Sequence, residues 1–353
     1  MSPRTKKILN FAFIFGTLAA VVIIGISGQE LSGAVEALKG MAPKWLLLCF
    51  LSYAGFVLLD AMSLYFFLRR QQHRISMGFA VQVSLVGWYY SNITPGATGG
   101  QPMQVYYLKK RDVPIGIGSS ALTVKLFCFQ FMLMLVGTVM WIANREYVAV
   151  NLGSNMWILI VGYVYNAVSV SFLVMMALNK RLVRVFIRLF IRIGTALHIA
   201  KSPEDSMTKW EDILNTFHAS VMMLVRNPMD FLAQILLGAG QLVVQMMVTY
   251  FIYRGFSMEG ATFGQIITLA LMLYISASYT PLPGASGAQE GGFALYFGQV
   301  FPDGVRFMAL LLWRFFTYYM SLIMGGIFTV VGAASPRDKK HTRRKRLQDG
   351  QKA

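Results

Sequence analysis

Four ionisable side chains stand inside long apolar segments of this sequence: Asp60, Lys125, Glu290 and Arg314. A charge turned toward lipid costs about 3 kcal/mol on insertion scales, so each is expected to face the protein interior beside a partner. A repeated device lies near them. Pro95 to Gln101, "PGATGGQ", recurs as Pro283 to Gln289, "PGASGAQ". Lys125 follows Pro95 by 30 residues and Arg314 follows Pro283 by 31, so each copy precedes one intramembrane cation at nearly the same spacing. Two cations converging on helix ends and glycine-rich backbone amides suit an anionic group such as a phosphate. The same residues admit a structural arrangement, in which Lys125 pairs with Asp60 and Arg314 with Glu290 to hold a helix bundle together.

The candidate substrate-binding residues are therefore Pro95, Gly96, Thr98, Gly99, Gly100, Gln101 and Lys125 in the first copy. In the second they are Pro283, Gly284, Ser286, Gly287, Gln289, Glu290 and Arg314. Asp60 and Glu290 are also candidates for ion or proton coupling. Gln101 and Gln289 end the two motifs with neutral donors and acceptors, and Thr94, Thr98, Ser286 and Tyr279 are hydroxyls able to satisfy an interrupted backbone. No catalytic constellation accompanies them. His73, His198, His218 and His341 are scattered without metal-ligand spacing, and there is no Walker A motif. No cofactor and no metal are expected.

The elements that must position these residues follow from composition. Of 353 residues 56% are hydrophobic and 13% charged, which excludes an ordinary soluble domain. Roughly 20 apolar residues cross a bilayer as a helix. Six such spans are expected, near 8–27, 45–68, 115–142, 156–178, 229–253 and 304–332. The first follows the basic start "MSPRTKK" and is longer than a signal-peptide core, so it reads as a retained helix. Cys49 and Cys128 both lie within spans and imply no disulfide framework.

The formal charge of +17 sorts by topology rather than by nucleic acid. With the N-terminus cytoplasmic and segments 78–112 and 262–303 entering and leaving by the same face, 25 of the 32 Lys and Arg are cytoplasmic. Full crossing by either segment would place a basic cluster outside. Backbone broken by Pro and Gly cannot face hydrocarbon and must lie against protein or a water-filled cavity. The two hairpins enter from opposite faces, so segments 45–142 and 229–332 form an inverted repeat with its site near the midplane. The fold expected is an all-α polytopic membrane protein, with six full transmembrane helices and two re-entrant broken-helix hairpins. Residues 1–336 form the transmembrane domain. Within them the basic segment 180–226 begins "KRLVRVFIRLFIRIGTALHIAK", a cationic amphipathic helix with Arg184, Arg188 and Arg192 on one face, suited to the inner leaflet. Residues 337–353 form a basic cytoplasmic tail.

The stretches "NITPGATGGQPMQVYYLKK" and "PLPGASGAQEGGFALYF", followed by "LLWRFFTYYMSLIMGG", resemble the integral-membrane, flippase-type region of the lysylphosphatidylglycerol synthase family. The resemblance covers residues 8 to 332. It implies movement of aminoacylated phosphatidylglycerol across the membrane, which lowers surface negative charge and protects against cationic antimicrobial peptides. Glu290 and Arg314 match the family's acidic and basic positions. Where many members carry an acidic residue and a nearby Arg in the first motif, this chain has Gln101 and Gln104. The chain ends at residue 353 without room for the family's soluble synthase domain, so a stand-alone region is expected.

The function expected is a flippase or transporter for an anionic or aminoacylated phospholipid in the bacterial cytoplasmic membrane, with both termini cytoplasmic. Phosphatidylglycerol lysyltransferase, by the family's name, and an ion-coupled transporter of a small solute are the alternatives. The partners expected are membrane phospholipids, with a separate lipid-modifying synthase and a second copy of the chain as further candidates, and no nucleic acid. Pseudo-symmetry further predicts that Val at Gly96 and Val at Gly284 harm the site equally.

Overall fold

Helices start where the sequence can cap them. Ser76 accepts the Phe79 N–H, Asn227 accepts the Asp230 N–H ahead of Pro228, and Thr262 with Gln265 forms a reciprocal capping box. From these starts the computed structural model, which describes residues 38–181, 183–185 and 203–334, builds an all-α polytopic membrane protein. The first expected span (8–27), residues 182 and 186–202 of the basic amphipathic segment with Arg188 and Arg192, and the tail 337–353 lie outside the described residues.

In chain order the helices are α1 (Pro43–Arg70), α2 (Met77–Ile93), α3 (Gly100–Lys109), α4 (Ile115–Ala143), α5 (Arg145–Leu152) and α6 (Met156–Leu178). They continue with α7 (Pro203–Val225), α8 (Pro228–Gly255), α9 (Phe263–Ala277), α10 (Ala288–Phe297), α11 (Asp303–Arg314) and α12 (Met320–Ala334). Five of the six expected spans fall among the described residues, and each is helical, long and apolar enough to cross a membrane. The last is interrupted: a π-helical turn, Phe315–Tyr319, separates α11 from α12. Composition did not signal α5, a short helix between the second and third described spans.

The two expected hairpins are helix, break and helix. α2 and α3 flank one break and α9 and α10 the other, with a short 3-10 turn at Pro95–Ala97 and at Pro283–Ala285. Their packing is reciprocal. α1 lies along α8, α2 packs on α12, and α9 packs on α4. Small residues allow the close approaches: a Cβ on Gly325 of α12 would overlap the Leu85 carbonyl of α2, and one on Gly137 of α4 would meet Ile275 of α9. Asn144 at the end of α4 donates to the Thr268 hydroxyl on α9 at 2.9 Å. A large apolar cluster that includes Phe293, Phe297, Phe301, Trp313 and Phe316 fills the space around α8, α9 and α10. Trp157, Val161, Val164, Val168 and Phe172 of α6 are exposed, a surface suited to lipid.

Candidate functional site

The repeated motif imposes the same backbone twice. Gly96 (φ 59°) and Gly284 (φ 60°) both adopt the left-handed conformation, followed by Ala97 (φ 55°) and Ala285 (φ 50°) in the same region. A residue with a Cβ held there costs about 1–2 kcal/mol, so both loops store strain at the same residue. The loops also touch. The Gly96 N–H donates to the Pro281 carbonyl at 2.8 Å, and α2 packs on the second turn as well. Two breaks separated by nearly 190 residues thus form one assembly.

Beyond the alanines the copies diverge, and the cause is a single side chain in each. In the first, the Thr94 hydroxyl accepts the Gly99 N–H at 2.8 Å while donating to the Tyr90 carbonyl. The matching position in the second copy is Leu282, which has no hydroxyl. There the Gly287 N–H (φ 87°) is taken by Glu290 Oε2 at 2.7 Å, and Glu290 sits where the first copy has Pro102. The remaining hydroxyls also serve the broken backbone, since Thr98 and Ser286 donate to the carbonyls of Pro95 and Pro283.

Glu290 turns its other oxygen to Arg314. Arg314 Nε donates to Glu290 Oε1 at 2.7 Å, and the guanidinium also reaches the Gly284 carbonyl and the Ser286 hydroxyl at 3.3 Å each. Arg314 is 3% exposed and its guanidinium lies 4.6 Å from the centre of the Tyr318 ring. Tyr318, inside the π-helical turn, donates in turn to the Asn92 carbonyl at the end of α2. The ring therefore touches both hairpins. Beside this cluster Gln289 Oε1 is buried with no hydrogen-bond partner among the described residues.

Lys125 stands elsewhere. Its Nζ lies 2.8 Å from Asp60 Oδ2, and Gln241 Nε2 donates to Asp60 Oδ1 at 3.1 Å, joining α4, α1 and α8. Next to it the Ser63 hydroxyl donates to Gln234, whose amide donates back to the Ser63 carbonyl. Both ion pairs expected as structural partners thus form. Lys125 spends its bond on Asp60 rather than on the first loop, because that loop has no carboxylate at the Glu290 position to draw a cation. Gln104 points into its own hairpin and donates to the Val83 carbonyl, while Gln101, Thr98, Gly96 and Pro95 are exposed and Gly100 is buried against Ser91.

Sequence reasoning missed Tyr318, Gln241 and the π-helical turn. Tyr318 had a signal, since an aromatic four residues after a buried Arg lies within reach of it on a helix. Gln241 had none, because its partner is 181 residues away.

Residues 8–325 match the family described as the lysylphosphatidylglycerol synthase TM region, an extent well over half of the chain. The chain belongs to the lysylphosphatidylglycerol synthase TM-region family. It is also similar to a UPF0104 membrane protein of Archaeoglobus fulgidus, 22% identical over 292 residues, covering 80% of this chain and 86% of that protein. The family match spans both broken hairpins, the Asp60–Lys125 pair and the Glu290–Arg314 pair.

Proposed function

We propose that this chain transports a phospholipid with an anionic or aminoacylated head group, such as lysylphosphatidylglycerol, across the bacterial cytoplasmic membrane, and so contributes to resistance against cationic antimicrobial peptides. The observation that carries the reading is the junction of the two broken hairpins through Gly96 and Pro281, with the Arg314–Glu290 pair behind it. Broken backbone inside a membrane protein belongs beside a polar pathway, and an inverted repeat of such breaks is a transporter's architecture. Both termini lie in the cytoplasm in this reading.

The site offers a specific exchange. A head-group phosphate takes the place of Glu290 on Arg314, a bidentate acceptor for a bidentate donor. The released carboxylate then meets an ammonium, as an aminoacylated head group supplies, and the Gln289 carbonyl, which has no partner among the described residues, accepts from the same group. The Asp60–Lys125–Gln241 cluster favours a second reading, ion-coupled transport of a small solute, since buried ionisable pairs mark proton and ion relays.

Purified chain in liposomes separates the readings. Movement of fluorescent phospholipid without tRNA supports lipid transport. Formation of lysyl-lipid from lysyl-tRNA would make the chain a phosphatidylglycerol lysyltransferase, and uptake of labelled solute without lipid movement would make it a solute carrier.

A further inference from the structure

At the end of α6 the chain turns through Asn179 into Lys180 and Arg181, and α7 brings His218 against this turn. These residues, with Ala219 and Met222, line a cavity of about 670 Å³ that shares no residue with the paired loops. Its most telling wall is His218, which is 2% exposed. The ring hydrogen-bonds the Ala177 backbone, and Nε2 is buried with no hydrogen-bond partner among the described residues. Leaving a buried polar atom unpaired costs about 1–3 kcal/mol, so an orphaned ring nitrogen on a cavity wall points to a ligand there.

The charge around the cavity decides the ligand's sign. Lys180 and Arg181 are wall residues, and among the described residues the hydrogen-bond partner of Lys180 Nζ is the neutral Asn215, at 3.4 Å. Among the described side chains, the carboxylates nearby are committed or turned away. Glu211 is held by Arg184 at 3.5 Å, and Asp212 is exposed. On the other elements packed against α7, Lys125 of α4 is paired with Asp60, and Asp230 of α8 is paired with Arg70 at 2.7 Å. The cavity is therefore lined by two cations and an imidazole, with no neutralising acid among the described side chains.

We propose that this cavity binds a phosphate group, held by Lys180, Arg181 and protonated His218, so that binding takes up a proton and strengthens as pH falls. Burial first, and Lys180 second, hold the His218 pKa below the usual imidazole value. An anion between the ring and Lys180 opposes the second cause and favours the imidazolium, whose Nε2–H then donates to it. The exposed apolar surface of α6, with Val168, Phe172 and Met175, runs down to the cavity. This places a membrane phosphodiester within reach, and a free phosphodiester has the same chemistry. The proposal does not rest on lipid transport through the paired loops.

The test uses the full chain in detergent with two probes whose single charge does not titrate near neutrality, dihexanoyl-phosphatidylglycerol and dimethyl phosphate. Calorimetry at pH 7.5 and pH 5.5 should show binding at least about tenfold tighter at the lower pH, since one fully linked proton produces about tenfold per pH unit. His218→Gln should flatten that pH profile, and Lys180→Gln with Arg181→Gln should weaken binding at both pH values. Binding of both probes assigns the cavity to phosphodiesters in general, and binding of the lipid alone assigns it to a head group. In the native sequence, histidine NMR should show the His218 pKa rising when the probe is added, a readout that does not depend on the variants folding. Binding by neither probe, a wild-type affinity that ignores pH, or an unchanged slope in His218→Gln would overturn the proposal.

Discussion

Arg314 is the side chain on which the paired loops converge, because it holds a carboxylate, a backbone carbonyl and a hydroxyl of one loop while stacking on an aromatic that reaches the other. Arg314→Ala leaves Glu290 without its cation and should reduce lipid movement to near the protein-free rate. Arg314→Lys keeps the charge and loses the fork, so it should retain a fraction of the activity. Initial rates in liposomes at matched protein density check both, and full activity in Arg314→Ala would exclude a substrate role. Glycine behaves less symmetrically than the repeat alone predicts. Val at either Gly96 or Gly284 meets the same backbone strain, but a Cβ at 284 would also overlap the Tyr318 ring, whereas at 96 the nearest atom is 3.8 Å away on Thr98. Gly284→Val should therefore lower the melting temperature further than Gly96→Val. Conversely, Ala285→Gly relieves a left-handed alanine and should leave stability unchanged or raise it by about 1 kcal/mol.

At the scale of elements, the Asp60–Lys125–Gln241 cluster joins three helices inside the bundle. Lys125→Met strands a carboxylate that is 1% exposed and should destabilise the protein by about 3–5 kcal/mol, the usual cost of breaking a buried pair. Adding Asp60→Leu to Lys125→Met should recover most of the lost melting temperature in detergent, because a buried pair replaced by apolar groups is often neutral. If the double variant stays as unstable as the single one, the cluster does more than neutralise charge. The five described spans, both breaks and both ion-pair partners were legible in the sequence, because an apolar run, a Pro-Gly interruption and an intramembrane charge each have a local physical meaning. What was not legible depends on neighbours distant along the chain. Lys125 looked equivalent to Arg314 by spacing, yet its place is set by Asp60 and Gln241, while Arg314 is drawn to Glu290 in the loop itself. The π-helical turn at Phe315–Tyr319 likewise answers to the packing of Tyr318 against Gly284 and Asn92 rather than to any residue that breaks a helix.

Across the whole molecule, the reciprocal packing of α2 on α12 and of α9 on α4 ties each broken hairpin to the opposite half. In the topology that places basic residues inside, Lys109, Lys110 and Arg111 face the cytoplasm. A cysteine introduced at position 110 should resist an impermeant maleimide added outside intact cells and react after permeabilisation; labelling from outside would contradict the hairpin's return to its own side. The central claim is that the joined loops form one path for a phospholipid head group. Its most direct measurement is dithionite quenching of fluorescent lysylphosphatidylglycerol in liposomes holding the wild-type chain, Gly96→Val or Gly284→Val, with folding checked by monodisperse elution. The account predicts that the wild-type chain exposes inner-leaflet lipid well above the protein-free rate and that both variants fall toward that rate. A wild-type rate equal to empty liposomes, or folded variants as fast as the wild type, would contradict it.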